Sequence, residues 1–376
     1  MTDASWMLRA LELASSALGS TAPNPAVGAV IVRDGEMLGE GWTHPPGSDH
    51  AEVAAIKSAR QAGFDTSGAT MYVTLEPCCH HGRTPPCTGA ILASGIQRVV
   101  VGTSDPFPAM RGQGLQVLRD AGLDILLGIE RDRCEAQILG FARSVGFGLP
   151  EVSCKAAISA DGRIATATGE SQWITGSQAR EDGHRLRASH DAIMVGIGTV
   201  IADDPRLSCR LAPTPGRPEM VDPVPVVLDS SLRIAADASL FQSPRRPVIM
   251  CLEEAPQRYL EADIVRIAAG PDGRVDLVAA MEALAARGLH RVLIDGGGAV
   301  HRAALDAGLV DTLYLYIAGV VLPGGIPWIG GPPVQALADA RRMQLIDVCK
   351  VGADARLCYR LVHRLAADPL AALRET

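Results

Sequence analysis

Apolar residues recur at Met7, Leu8, Leu11, Ala14 and Leu18, the three-and-four spacing that lines one face of a helix, so a helix is predicted near the amino terminus. The next segment, AVGAVIVRDGEMLGEGW, changes to two apolar runs around Asp34-Gly35. That dipeptide suits the positive φ angles of a tight hairpin, which predicts two paired strands. An amphipathic helix follows from about His50 to Arg60, stopped by Gly63. Then come the strand TMYVTLEP, a helix over TGAILASG ending at Gly95, and the strand RVVVG. GLQVLRDAG and DILLG add another helix and strand, and CEAQILGFARSVG a last helix. Helices alternating with strands predict a three-layer α/β/α domain over residues 1–146.

A Gly/Pro cluster in GFGLPEVSC interrupts this pattern and VSCKAAIS starts a new one, which places a boundary near residue 147 and a second domain over 147–376. There DAIMVGIGTVI, PVPVVLDS, RPVIMC, DIVRIA, RVLIDGGG and TLYLYIAGVVL read as β-branched apolar runs, with helical stretches such as LVAAMEALAARG between several of them. They predict a mixed sheet flanked by helices. The proline-rich stretch 212–225 reads as a surface loop.

Length agrees with two domains, because 376 residues exceed the roughly 250–300 at which single cores stop growing. With 47% hydrophobic and only 4% aromatic residues, the chain predicts a folded protein whose core is built from Ala, Val, Leu and Ile. A net charge of −7, without a run of Lys or Arg, argues against a nucleic-acid partner. No basic amino-terminal segment precedes an apolar stretch, and no run approaches 18 apolar residues. A cytoplasmic protein without a membrane partner is therefore expected, and assembly into a homo-oligomer is left open. The cysteines at 78, 79 and 87 form a close trio and the other six stand singly, which is not the layout of a disulfide framework.

That trio lies in LEPCCHHGRTPPC, where two histidines join it. Metal sites draw ligands from more than one element, and upstream DHAEVAA puts His50 and Glu52 at the start of a predicted helix. Cys78 follows a strand at a point where a new helix can begin, a position that pushes a thiol toward thiolate. Cys87 comes just before TGAILASG. One imidazole and two thiolates would leave zinc a fourth position for water, whose pKa then falls to about 7. Glu52, near such a metal but not on it, could carry a proton to a ring nitrogen and then to a leaving amine. The implied chemistry is hydrolytic deamination of an amidine-like ring carbon. H-A-E with Pro-Cys is similar to the zinc-deaminase signature of H-x-E and P-C-x-x-C, although eight residues separate Cys78 from Cys87 where that signature has two. On spacing alone Cys79, His80 and His81 compete as ligands.

TLEPC and HHGRTPPC, together with APNPAVGAV and HAE, resemble the bifunctional riboflavin-biosynthesis deaminase-reductases, and the resemblance covers nearly the whole chain. It implies a cytidine-deaminase-like first domain with His50, Cys78 and Cys87 as zinc ligands and Glu52 as proton shuttle. Cys79 becomes a neighbour of the site. His80, His81 and Arg83 fall on a loop over the substrate, with Arg83 placed to meet a phosphate or carbonyl. Asn24 matches a base-contacting asparagine; read by itself, it would equally stabilise a turn beside two prolines.

SADGRIA, GESQWIT, VGIGTVIADDPRL, VVLDSS and LIDGGGAVHRAALDAGLVD resemble the family's reductase half, which implies a dihydrofolate-reductase-like fold that takes NADPH. Read by themselves, Gly296, Gly297 and Gly298 sit between a strand and a helix, where backbone N–H groups can approach a phosphate. The dinucleotide pattern G-x-G-x-x-G nonetheless fails at His301. The resemblance implies cofactor contacts at Ala157, Trp173, Thr199, Asp203, Ser230 and the turn that includes Gly297 and Gly298. It implies contacts to a pyrimidine ribosyl phosphate at Ser171, Arg187, Leu207, Arg210 and Asp295, the last standing where the family has glutamate. A planar guanidinium at 187 or 210 can grip a phosphate, or be an ordinary surface arginine, and Trp173 could equally be core.

Overall fold

The computed structural model describes residues 1–212, 220–361 and 370–373. The first half runs α1 (Asp3–Ala17), β1 (Gly28–Arg33), β2 (Glu36–Trp42), α2 (Ala51–Gln61), β3 (Thr70–Leu75), α3 (Cys87–Ala93), β4 (Arg98–Thr103), α4 (Gln113–Asp120), β5 (Asp124–Leu127), α5 (Arg131–Gln137) and α6 (Leu139–Phe147). The hairpin forms where Asp34-Gly35 lies, with φ of 53° and 80° at the two turn residues. The expected single helix over CEAQILGFARSVG is instead α5 and α6, because the backbone leaves helical geometry at Ile138 (φ −100°, ψ 10°).

The five strands form one sheet in the order β2-β1-β3-β4-β5, antiparallel among the first three and parallel from β3 to β5. Strand alternation sends Ala29, Ile31, Met71, Val73, Val99 and Val101 to one face, where they meet Ala55 and Ala59 of α2 and Ile91 of α3. Val30, Val32, Tyr72 and Val100 go to the other, against Trp6, Met7, Ala10 and Leu11 of α1 and Cys134 of α5. The three layers predicted from the alternation are present. Helix α2 lies close on the hairpin because β2 offers glycine: a side chain at Gly39 would come within 2.5 Å of the Ala55 carbonyl oxygen.

The second half runs β6 (Glu151–Ser159), β7 (Arg163–Ala165), α7 (Ser177–Ala188), β8 (Ala192–Gly196), α8 (Ile197–Asp203), β9 (Val224–Leu228), β10 (Val248–Leu252), β11 (Asp263–Ile267), α9 (Leu277–Ala285), β12 (Arg291–Ile294), α10 (Gly298–Asp306), β13 (Thr312–Ala318), β14 (Ile326–Pro327), β15 (Met343–Val351) and β16 (Asp354–Leu361). Nine of these strands make a mixed sheet, ordered β11-β10-β9-β8-β12-β6-β13-β16-β15. The first seven pair in parallel, and β16 alone runs the opposite way, antiparallel to both β13 and β15. DAIMVGIGTVI, expected as one β run, divides at Gly196 into β8 and α8, where Ile197 and Val200 bury one helical face. Of the proline-rich stretch, 213–219 lie outside the described residues, and its last two residues belong to β9 rather than to a loop. Pro225 is tolerated there because pairing with β10 begins only at Val226.

Two candidate active sites, a donor trio and a glycine-rich cleft

Helix α2 starts with His50 at its N-cap and Glu52 in its first turn, which turns both toward the segment that leaves β3. His50 Nδ1 lies 3.2 Å from Cys87 Sγ and 3.6 Å from Cys78 Sγ, and the three donor atoms are all within 4.8 Å of one another. Cys79, His80 and His81 stay outside this trio. The expectation of a helix beginning at Cys78 needs correction: residues 76–86 form a loop, and α3 begins at Cys87. Cys78 is nevertheless held as thiolate, its pKa brought down to about 4 by hydrogen bonds from Cys87 and His50. The backbone N–H of Cys87 adds a third, at 3.3 Å.

The same arrangement pushes the Cys87 thiol up, because it donates to Cys78, is buried and lies near Glu52. His50 is raised mainly by its hydrogen bond with Cys78. Two sulfurs this close cannot both carry charge without a cation between them, and one imidazole with two sulfurs is a donor set suited to zinc. Glu52 is only 4% exposed, and burial, with the Cys78 charge, raises its pKa to about 7.

His50 and Cys78 of the trio line a cavity of about 390 Å³. Asn24, Glu52, His80, Arg83, Asp105 and Phe141 are among its lining residues. Asn24 faces this space, while the turn it belongs to is closed by its backbone N–H on Thr21 O and by the Thr21 hydroxyl on Asn24 O. Sequence patterns did not single out Glu76. Its buried carboxylate accepts backbone N–H bonds from Asp105 (3.0 Å), Gly112 (2.9 Å), Gly114 (2.9 Å) and Leu115 (3.3 Å), and so holds the loop that carries Asp105 and Phe107 to the cavity. A carboxylate beside Pro-Cys was the available signal. Asp105 is raised to about 6, chiefly by burial.

A second cavity, of about 1350 Å³, lies at the carboxyl ends of the parallel strands, where open α/β sheets bind ligands. It collects Ala157, Ser171, Trp173, Arg187, Thr199, Asp203, Leu207, Arg210, Ser230, Asp295, Gly297 and Gly298, so every residue expected in the reductase half lies on one wall or another. Trp173 is not core: it is 65% exposed and stacks on the Arg180 guanidinium at 4.5 Å. Arg187 is not a free surface arginine either. Its guanidinium is 2.6 Å from the Asp295 carboxylate, and Lys155 closes on the other oxygen at 3.2 Å. The Asp295 side chain is 3% exposed; burial opposes its charge, but Arg187 and Lys155 outweigh burial and hold it at about 2.

Gly296 (φ 153°) and Gly297 (φ 90°) turn the chain from β12 into α10. A side chain at either would come within 3.4 Å of Thr199, so the glycines let backbone N–H groups line the cleft. That cradle fits a dinucleotide phosphate. Lys155 and His184 also line this cavity and were not foreseen. Each sits inside a segment with no motif of its own.

The first half and its donor trio define a zinc-dependent deaminase of the cytidine-deaminase type, and the second a nucleotide-dependent reductase. Residues 1–103 match the cytidine and deoxycytidylate deaminase zinc-binding region, and residues 150–357 match the RibD C-terminal domain. The chain is 38% identical to riboflavin biosynthesis protein RibD of Actinobacillus pleuropneumoniae over 97% of both chains. It is also 38% identical to that of Escherichia coli K12, over 96% of this chain and all of the other. The structure of Acinetobacter baumannii RibD superposes with a TM-score of 0.85 at 37% identity, covering 96% of this chain and 99% of that one. A Thermotoga maritima diaminohydroxyphosphoribosylaminopyrimidine deaminase/5-amino-6-(5-phosphoribosylamino)uracil reductase does so at 0.84, with 33% identity and coverage of 96% and 98%. The chain belongs to the RibD family of bifunctional deaminase-reductases in riboflavin biosynthesis, which use zinc and NADPH.

Proposed function

We propose that the two cavities act in turn on one pyrimidine nucleotide, with the chain divided into a deaminase domain over 1–146 and a reductase domain over 147–376. In the first, 2,5-diamino-6-ribosylamino-4(3H)-pyrimidinone 5′-phosphate takes up water at its amino-bearing ring carbon and loses ammonia. The observation that carries this reading is a buried carboxylate, Glu52, beside a sulfur-rich donor trio at one cavity. His50, Cys78 and Cys87 would hold zinc, whose contribution is to make a water acidic enough to attack at neutral pH. Glu52, with its pKa near neutrality, takes a proton from the water side and delivers it to the ring nitrogen and then to the leaving amine. Asn24 and Arg83 orient the ring and its substituents.

In the second cavity NADPH, when bound, would supply the hydride that reduces C1′ of the ribosyl group of the deaminated product, with a proton from solvent completing the ribityl side chain. Ala157, Trp173, Thr199, Asp203, Ser230, Gly297 and Gly298 form the cofactor's side of the cleft. Ser171, Arg187, Leu207, Arg210 and Asp295 form the substrate's side. Arg187 is locked on Asp295, so its role is to present a fixed positive edge, and the exposed Arg210 is the freer phosphate ligand.

No helix among the described residues is long and apolar enough to cross a membrane, and a cytoplasmic location is consistent with that. A negative net charge speaks against nucleic-acid partners. A homo-oligomer has a candidate surface in β15, an edge of the nine-stranded sheet that pairs among the described residues with β16 alone, where Leu345, Ile346 and Val348 are exposed.

The test is a staged assay on zinc-quantified protein: the diaminopyrimidine ribosyl phosphate is added and ammonia recorded, then NADPH is added and its oxidation followed. Ammonia first and oxidation second is the expected order. NADPH oxidation before any ammonia appears would overturn it. In the same preparation, Cys79→Ser is expected to keep the zinc content of the parent, measured by elemental analysis, because Cys79 stands outside the donor trio.

A further inference from the structure

Residues 19–25 of the first half carry one wall of the smaller cavity, yet they rest on the second half of the chain. Pro23, Asn24 and Pro25 line the cavity. His290 Nε2 donates to the Pro23 carbonyl oxygen at 2.9 Å. Gly288 (φ 76°) lies directly beneath the Pro23 ring, where a side chain would come within 2.6 Å of Pro23 Cβ. Phe141, itself a lining residue, meets the His290 ring edge-on, with centroids 5.7 Å apart and planes at 80°. Gly140 brings α6 close to the same place, since a side chain there would be 2.6 Å from the His290 carbonyl oxygen.

His290 is itself firmly held. One carboxylate oxygen of Asp191, a buried residue, accepts the backbone N–H of His290 at 2.8 Å and that of Arg291 at 2.9 Å. The ring is thereby anchored in the large sheet, one residue before β12, while its Nε2–H points out at the Pro23 carbonyl. Burial lowers the pKa of the ring, which favours the neutral form with its single proton at Nε2. His290 does not line either cavity.

From this we infer that His290, supplied by the reductase half, is a positioning residue for the deaminase: it sets where the Pro23–Pro25 wall, and with it Asn24, stands over the pyrimidine. The inference rests on the assignment of that cavity to the deaminated ring. A hydrogen bond to a solvent-accessible carbonyl such as this one, replaced by water when lost, corresponds to about a fivefold change. Because the wall meets the bound ring and not the attacking water, the effect belongs in KM.

The experiment uses the full-length chain as His290→Ala and His290→Gln, the latter keeping an N–H donor. Ammonia release is followed against substrate concentration, and NADPH oxidation against pre-deaminated substrate reports the integrity of the other half. Expected are a rise of about fivefold in the deaminase KM of His290→Ala with kcat and zinc content within twofold of the parent, recovery of most of that KM in His290→Gln, and an unchanged reductase. An unchanged KM in His290→Ala, or an equal loss in both reactions with a lowered melting temperature, overturns the inference. If the parent protein itself releases no ammonia, it is the assignment of the cavity that fails.

Discussion

Glu52→Gln is expected to bind zinc as fully as the parent while ammonia release falls by about 10²–10⁴-fold, the range that one positioned general acid-base group supplies. The amide matches the carboxylate in size, so the first turn of α2 and the His50 N-cap keep their places. What goes is the proton-carrying capacity of a buried group whose pKa sits near neutrality because water is excluded and the Cys78 thiolate is close. The reductase is expected to work undiminished on pre-deaminated substrate. Elemental analysis and the ammonia assay on one sample decide the matter: a fully zinc-loaded variant that still turns over at the parental rate removes Glu52 from the chemistry.

Asp295→Asn is expected to do the converse, cutting NADPH oxidation by at least about a hundredfold and leaving ammonia release intact. Lys155 and Arg187, both largely buried, converge on this carboxylate. The neutral amide leaves two cations side by side, and breaking a buried pair in this way costs about 3–5 kcal/mol. A lower melting temperature should therefore accompany the loss. The sign of the pH dependence follows from the depressed pKa: the carboxylate stabilises the fold above its unfolded pKa, near 4, and that contribution disappears as pH falls through about 2. A variant that oxidises NADPH at the parental rate would make Asp295 a mere structural counter-ion.

Much of this architecture was legible from residue order because local chemistry agreed with the final fold. Asp34-Gly35 asked for a hairpin and received one, and the alternation in β1, β3 and β4 serves two separate faces of one sheet. The donor trio was legible once H-A-E and the two cysteines were considered together, whereas choosing among five neighbouring ligands took either the family resemblance or the distances. Helix α7 announces itself poorly, since it buries only Ala179 and Gly183 and so carries no apolar stripe. The β15–β16 hairpin went unnoticed because β15 is exposed along most of its length and gains its place by pairing with β16. Glu76 and His290 act through backbone groups far away in the chain, and nothing in their immediate neighbours records that.

Strand β6 opens the second half but lies inside its sheet, paired only with β12 and β13. During synthesis it must wait until residues 291–318 have emerged before either edge is covered, while the five strands of the first half are complete by Leu127. Pairings that distant in the chain form slowly, because a long loop must close before any contact rewards it. The ribosome thus delivers a deaminase fold early and a reductase sheet late, with an apolar, unpaired strand exposed in the interval. For this chain the vulnerable moment in biogenesis falls in the second half, and chaperone demand should concentrate there.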